Sequence, residues 1–455
     1  VPRRLVWEHW EEFMGENKTD AWTQQSEYQI PQVTSPEGGW TKGTIAEKIT
    51  GCQGRTMSLD ACYFRAYALI FREWFRNENV TEPPEVPLGD ATTSGSNGSD
   101  YVTDLAKGGM MAKAVKYADY FTRALPEPQK GPDVYLPLGT QAPVIYTSGH
   151  DLATAPPKGE QVGTYKDSNG SIHMGYHLST APAFSDITPL NVEYNMVTDL
   201  SQASAATINQ LRQAFAVQRM YEVDARGGTR YTEILRAHFG VVSPDSRLQR
   251  PEYLGGKRTP INITQVIQQS STDATSPQGT AAAYSLTIDV HEDFTKSFTE
   301  HGIIMGLCVI RTEHSYQQGL NRMFSRKDRL DFYFPELSNI GEQGILNKEI
   351  YAQGTSEDDE IFGYQEAWAE YRYGINKISG ELNSDYATPL DSWTYADDFD
   401  SLPTLSDDFI RETDANVART LAIQNQDQWI ANFYFDQTWI RPMPIYSIPS
   451  LTGWN

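Results

Sequence analysis

The clearest periodicity in the chain lies between residues 58 and 80. Phe64, Tyr67, Ala68, Phe71, Trp74 and Phe75 fall at i, i+3, i+4, i+7, i+10 and i+11, which predicts a helix with one apolar stripe. Arg65, Arg72, Glu73 and Arg76 lie off the stripe. Ser58 or Asp60 offers a cap at the start, and Pro83-Pro84 follows the end. Thr207-Ile208-Asn209-Gln210 has capping-box spacing and opens a second helix through Leu211, Phe215 and Val217 to about Ala225. Arg226-Gly227-Gly228 breaks it, and a third helix runs from about Arg230 to Phe239 before Gly240. The pattern then changes to period two. Leu286–Val290 alternates, Ile303–Ile310 reads as a buried strand, and Asp331–Phe334 and Asn432–Phe435 are short aromatic strands.

Between these elements the chain is rich in turn residues. Residues 81–100 carry many Pro, Gly, Ser and Thr. Residues 139–200 hold Ser148-Gly149, Pro156-Pro157 and Ser168-Asn169-Gly170 among short apolar runs only. A structureless loop of that size is unusual, so a small β-rich subdomain or a surface excursion is expected there. No repeat of fixed period is visible. Strands joined by long, partly helical loops point to an all-β barrel or sandwich.

Composition narrows the function more than the fold. At 455 residues the chain allows about three domains of ~150 residues, or one β domain with long insertions. Lys plus Arg total 37 against 59 Asp plus Glu, a net charge of −22, so net charge does not drive nucleic-acid binding. Residues 207–258 nevertheless carry nine bases against five acids, and residues 356–414 carry sixteen acids against three bases. The three cysteines, Cys52, Cys62 and Cys308, have no CxxC spacing and cannot all pair within one chain, which favours a reducing compartment. The longest purely apolar run is eight residues, against about 20 for a membrane-spanning helix. Residues 1–7 show no signal-peptide h-region, and with no initiator Met the sequence reads as starting inside a longer chain.

The search for catalytic chemistry yields little. His173-x-x-x-His177 lacks the Glu of a zinc helix and sits in a Gly-rich stretch, where loop packing is the simpler role. Glu357–Glu360 suits a hard cation or, more simply, an exposed charged turn. No nucleophile elbow, P-loop or dinucleotide fingerprint occurs, and no carboxylate pair stands out. The arginines of residues 212–258 either face phosphates or pair with Glu222, Asp224 and Glu233 on helix surfaces. Neither a catalytic site nor a metal or cofactor is expected. A β-sandwich carbohydrate-binding or glycosidase-like protein and a phage spike are the alternatives that composition permits.

Several whole blocks resemble a known family. They are Val1–Trp7 (VPRRLVW), Arg65–Asn79 (RAYALIFREWFRNEN), Asp119–Gly131 (DYFTRALPEPQKG), Gln210–Phe215 with Asp224–Tyr231 (DARGGTRY), Leu248–Gly256 (LQRPEYLGG), Phe362–Tyr373 (FGYQEAWAEYRY) and Arg441–Pro444 (RPMP). In this order they are similar to the major capsid protein of the microviruses, the small single-stranded DNA bacteriophages, and within them the gokushovirus-like branch. The resemblance implies a mainly β fold, an eight-stranded antiparallel jelly roll of viral-capsid type with long loop insertions containing several helices. It divides the chain into residues 1–138, with the N-terminal part of the family's domain missing, a variable surface insertion at 139–205, and residues 206–455.

It further implies sixty copies in a closed T=1 icosahedral shell around a circular single-stranded DNA genome. The implied partners are other copies of the chain, that DNA, a small basic DNA-packaging protein, internal scaffolding and pilot proteins during assembly, and a receptor on the bacterial host surface. The implied location is the virion, assembled in the host cytoplasm, without membrane insertion. Within that picture Arg226, Arg230, Arg247 and Arg250 are candidates for DNA or inter-subunit contact. The insertion carrying His173, Tyr176 and His177 is the candidate host-facing loop, since low apolar content and dense turns suit a projection.

Overall fold

The computed structural model describes residues 1–16, 28–134, 144–146, 162–166, 172–176, 196–198, 208–242, 244–245, 249–270, 273–275, 277–279, 281–423 and 427–441. The chain divides into two compact units, one of Val1–Lys130 with Glu222–Asn455 and one of Gly131–Tyr221.

The larger unit begins with a 3-10 turn at Arg3–Leu5 and the one-turn helix α1 (Trp10–Phe13), followed by β1 (Gln32–Thr34) and α2 (Ile45–Thr50). Local chemistry sets both ends of α2. The Thr44 side chain accepts from the Glu47 N–H at 3.2 Å, and Gly51 takes φ 67°, the left-handed turn that ends a helix without Cβ conflict. β2 (Ser58–Asp60) pairs antiparallel with β1, while β3 (Thr93–Ser94) joins β1 on its other side in parallel. α3 (Ala61–Ile70) starts directly after β2, capped by Asp60, whose carboxylate accepts from Cys62 N at 2.8 Å. Ser58, the other candidate cap, belongs to β2.

The helix expected over 58–80 is therefore shorter. α3 continues into a π turn at Phe71–Phe75, and Arg76 is extended at ψ 137°. Its burial is also wider than one stripe. Phe64, Tyr67, Ala68 and Phe71 pack with Val33, Trp40, Ile45 and Leu105. Cys62, Ala66 and Leu69 on the other side pack with Val6, Trp7 and Ile303. A helix held between two apolar clusters buries positions that a one-faced reading leaves outside. Arg65 is 1% exposed and donates to Val6 O at 3.1 Å and Gly89 O at 2.9 Å.

The smaller unit contains two antiparallel ladders, β4 (Val144–Tyr146) with β7 (Met196–Thr198) and β5 (Val162–Lys166) with β6 (Ile172–Tyr176). α4 (Ile208–Gly227) and α5 (Tyr231–Phe239) follow where the sequence places them, and Gly240 ends α5 at φ 68°. Thr207 lies outside the described residues. β8 (Ile263–Ile267) and β9 (Ala281–Ser285) form an antiparallel pair. β10 (Ser315–Tyr316) lies parallel to β13 (Ala396–Asp397). β11 (Glu342–Leu346), α6 (Asn347–Ile350) and β12 (Ile361–Glu366) form a hairpin-like layer, and α7 (Asp407–Ile410) and α8 (Asp414–Ala418) are the last elements among the described residues. A third core gathers Tyr120, Phe121, Tyr316, Ile345, Ile350, Phe362, Phe409 and Ile410 around these strands.

The sheets among the described residues have two or three strands. The expected strands accordingly need correction. Leu286–Val290 continues β9 without a ladder partner, with Leu286, Ile288 and Val290 at 68%, 80% and 88% exposure. Ile303–Ile310 keeps the alternation, with Ile303, Met305 and Leu307 packed inward, but among the described residues its backbone bonds run to Val1, beside the Gly302–Pro2 bridge. Asp331 ends a 3-10 turn that Asp328 caps, its carboxylate accepting from Leu330 N at 2.8 Å, and the stretch 332–334 runs extended into the next turn at Pro335–Leu337 without a ladder partner among the described residues. Asn432–Phe435 is irregular and exposed. Alternation marks a segment able to pair; a strand forms only where a second segment meets it.

Candidate functional site

Arg226, Arg230 and Arg250 sit around the α4–α5 connection, and each is engaged within the chain. Arg230 is the residue before α5, where the Glu233 carboxylate reaches back to its N–H at 3.1 Å. Its guanidinium pairs with Glu78 at 2.9 Å and Glu233 at 3.3 Å, and donates to the carbonyls of Arg72 at 3.2 Å and Arg76 at 3.0 Å. Those are orphan carbonyls at the negative end of the α3 and π-turn helix, a favourable place for a cation. Burial, and then the adjoining Glu233, pushes the Glu78 carboxyl up from its ordinary value.

Arg226 Nε is ion-paired with Glu342 of β11. Arg250 pairs with Asp245 at 2.7 Å, donates to Thr232 at 3.1 Å and lies 4.6 Å over the Trp74 ring. The three side chains thus tie the α4–α5 region to α3 and β11. Arg247 lies outside the described residues. Of the host-facing candidates, His173 and Tyr176 belong to β6 and His177 lies outside the described residues. The Glu357–Glu360 stretch forms a 3-10 turn. There Asp358 accepts from Gln353 N and Gly354 N, and Asp359 pairs with Lys348 at 2.5 Å.

Sequence reasoning missed a buried ionic cluster. Asp397, at the end of β13, accepts from Lys116 Nζ at 3.0 Å, from the His314 ring at 2.9 Å and from Asn416 of α8 at 2.6 Å. The other ring nitrogen of His314 meets Glu412 at 2.9 Å, and Glu412 also takes Thr312 N at 3.1 Å. With a carboxylate on each side, both ring nitrogens must donate, so the imidazole is charged. Burial alone would lower its pKa. The hydrogen bonds to Asp397 and Glu412 outweigh burial and raise it to about 9. Lys116 and Asp397 are 281 residues apart, and no local pattern signals their meeting.

What these groups perform is internal fastening, by ion pairs and caps between distant loops, as suits a structural protein. The chain belongs to the capsid protein (F protein) family, whose sequence model matches residues 1–451. It is 41% identical to capsid protein VP1 of Bdellovibrio phage phiMH2K, over 100% of this chain and 84% of that protein. It is 40% identical to capsid protein VP1 of Spiroplasma virus 4, over 99% of this chain and 84% of the relative. With capsid protein VP1 of Chlamydia phage 1 the identity is 36%, over 99% and 85%. The microvirus resemblance is thereby shown, and with it a structural role in the virion. No helix among the described residues is long and apolar enough to cross a membrane.

Proposed function

We propose that sixty copies of this chain close into a T=1 icosahedral shell around a circular single-stranded DNA. The observation that carries this reading is the match to capsid proteins along nearly the whole chain rather than at a motif. The family match along the chain is what supports an eight-stranded jelly roll, since the period-two segments form no ladders among the described residues. Leu286, Ile288 and Val290 are too exposed for a lone subunit and need a covering partner. The segment 139–205 projects from the shell toward a bacterial receptor, with His173, Tyr176 and His177 in it.

A small basic protein neutralises DNA phosphates that a subunit of net charge −22 does not, and scaffolding and pilot proteins act during assembly. Because Arg226, Arg230 and Arg250 are engaged within the chain, their role at a subunit contact is to hold the α4–α5 region in place. Light scattering and microscopy of native particles test the shell. Sixty chains of 51.2 kDa give about 3 MDa of protein, and a stable monomer or small closed oligomer refutes it. Deleting 139–205 should leave shells that assemble but fail to adsorb; normal adsorption refutes that role.

A further inference from the structure

We infer that the surface formed by residues 322–334 with 368–373 binds single-stranded DNA, an inference that rests on the proposal that the shell encloses such a strand. In a strongly acidic chain, Arg322–Phe334 holds four bases, Arg322, Arg326, Lys327 and Arg329, against two acids, Asp328 and Asp331. Both acids are turned onto the backbone. Asp328 accepts from Leu330 N at 2.8 Å, and Asp331 from Lys327 N at 2.6 Å and Asp328 N at 3.1 Å. Arg322 and Arg326 face inward to Glu349 at 3.1 Å and Glu370 at 3.2 Å. Lys327 and Arg329 are exposed and form no ion pair among the described residues, so they are the cations this surface leaves unpaired, beside the backbone-bound carboxylates of Asp328 and Asp331.

The rings between them are exposed and fixed. The Arg326 guanidinium lies between Phe332 and Tyr371, 5.0 and 4.7 Å from their centroids, and Arg329 lies 5.0 Å from that of Phe334. Tyr333 meets Trp368 edge-on at 5.8 Å. Trp368 is held at φ 65°, a left-handed conformation unusual for a bulky residue, and its indole donates to Leu337 O at 2.9 Å. The Arg326–Glu370 pair joins the two stretches. Phe324, Phe332, Tyr333 and Tyr371 remain 71%, 48%, 47% and 53% exposed. Cations interleaved with aromatic faces form the platform on which unpaired bases stack while the backbone finds positive charge. Duplex DNA hides its base faces and fits this surface poorly.

The test is anisotropy of a labelled oligothymidylate with the purified full-length protein over a range of salt, alongside the DNA content of particles. The double variant Lys327→Gln/Arg329→Gln should lower the salt slope of log K by about 1.4, two contacts at ~0.7 each. Phe324→Ala, at a ring most exposed and outside the packed group, should weaken binding about tenfold with an unchanged melting temperature. Unchanged binding and slope in both variants overturn the assignment. If instead particle yield falls while oligonucleotide binding holds, the surface meets an acidic segment of a second copy and the DNA assignment is wrong. Wild-type particles without DNA would refute the shell reading itself, a result distinct from the failure of this surface.

Discussion

Raising the pH through the titration of His314 removes the proton that balances the buried cluster. With the imidazole charged, Lys116 and His314 offset Asp397 and Glu412; without that proton the group carries one uncompensated negative charge. The side chains of Lys116, His314 and Asp397 are 4%, 3% and 5% exposed and that of Glu412 is 14%, so solvent screens the loss weakly. The folded pKa of about 9 lies above the ordinary value of 6.5. The resulting stabilisation is complete below pH 6.5, declines as pH rises, and is gone above about 9. A gap of that size corresponds to about 3 kcal/mol.

The cluster joins four stretches of chain, since Lys116 N also donates to Ile410 O and Glu412 N to Ala114 O, each at 2.8 Å. Its loss should loosen the third core as a unit. Denaturant midpoints of the wild-type chain measured from pH 6 to 10 should fall steeply toward the alkaline end. His314→Gln, which cannot titrate, should be less stable at pH 6 and flatter over the same range. Parallel pH profiles for the two proteins would refute the argument.

Three other expectations follow from the fold. Arg65→Met should cost about 3 kcal/mol in denaturant unfolding, because Val6 O and Gly89 O lose their donor in a buried site; a loss below ~0.5 kcal/mol contradicts that accounting. Gly319→Ala places a Cβ 2.0 Å from Glu349 O and should destabilise by ~1–3 kcal/mol or more, whereas Gly306→Ala, with nothing within 4 Å, should be tolerated. Equal melting temperatures for the two glycine variants would refute the clash. In the native protein Cys62, buried and with its thiol pushed up to about 12 by burial and then Asp60, should resist alkylation at pH 8 while exposed Cys308 reacts, as peptide mass mapping can read. Comparable rates at the two cysteines would contradict this.

Sequence by itself determined the elements whose causes are local. α4 and α5 appear close to where periodicity and the stop at Gly240 place them, with α4 running through Arg226 and Gly227 of the expected Arg226-Gly227-Gly228 break, because a helix bonds only to residues within four positions of itself. α3 was legible in its start at Asp60 and its inner stripe, and the ordered blocks along the chain determined the capsid family. Tertiary structure decided the rest. Arg65 is buried because a second cluster, carrying Val6 and Trp7, closes on the outer side of α3. The arginines around Arg226 and Arg230 read from sequence as either facing phosphates or pairing with Glu222, Asp224 and Glu233; the Arg230–Glu233 pair is local, and only folding brings Glu342 and Glu78 to Arg226 and Arg230. His314 carries no motif, yet two carboxylates from beyond residue 390 fix its charge. Strand pairing and buried ion pairs each need a partner far away in the chain, and a periodicity cannot name that partner.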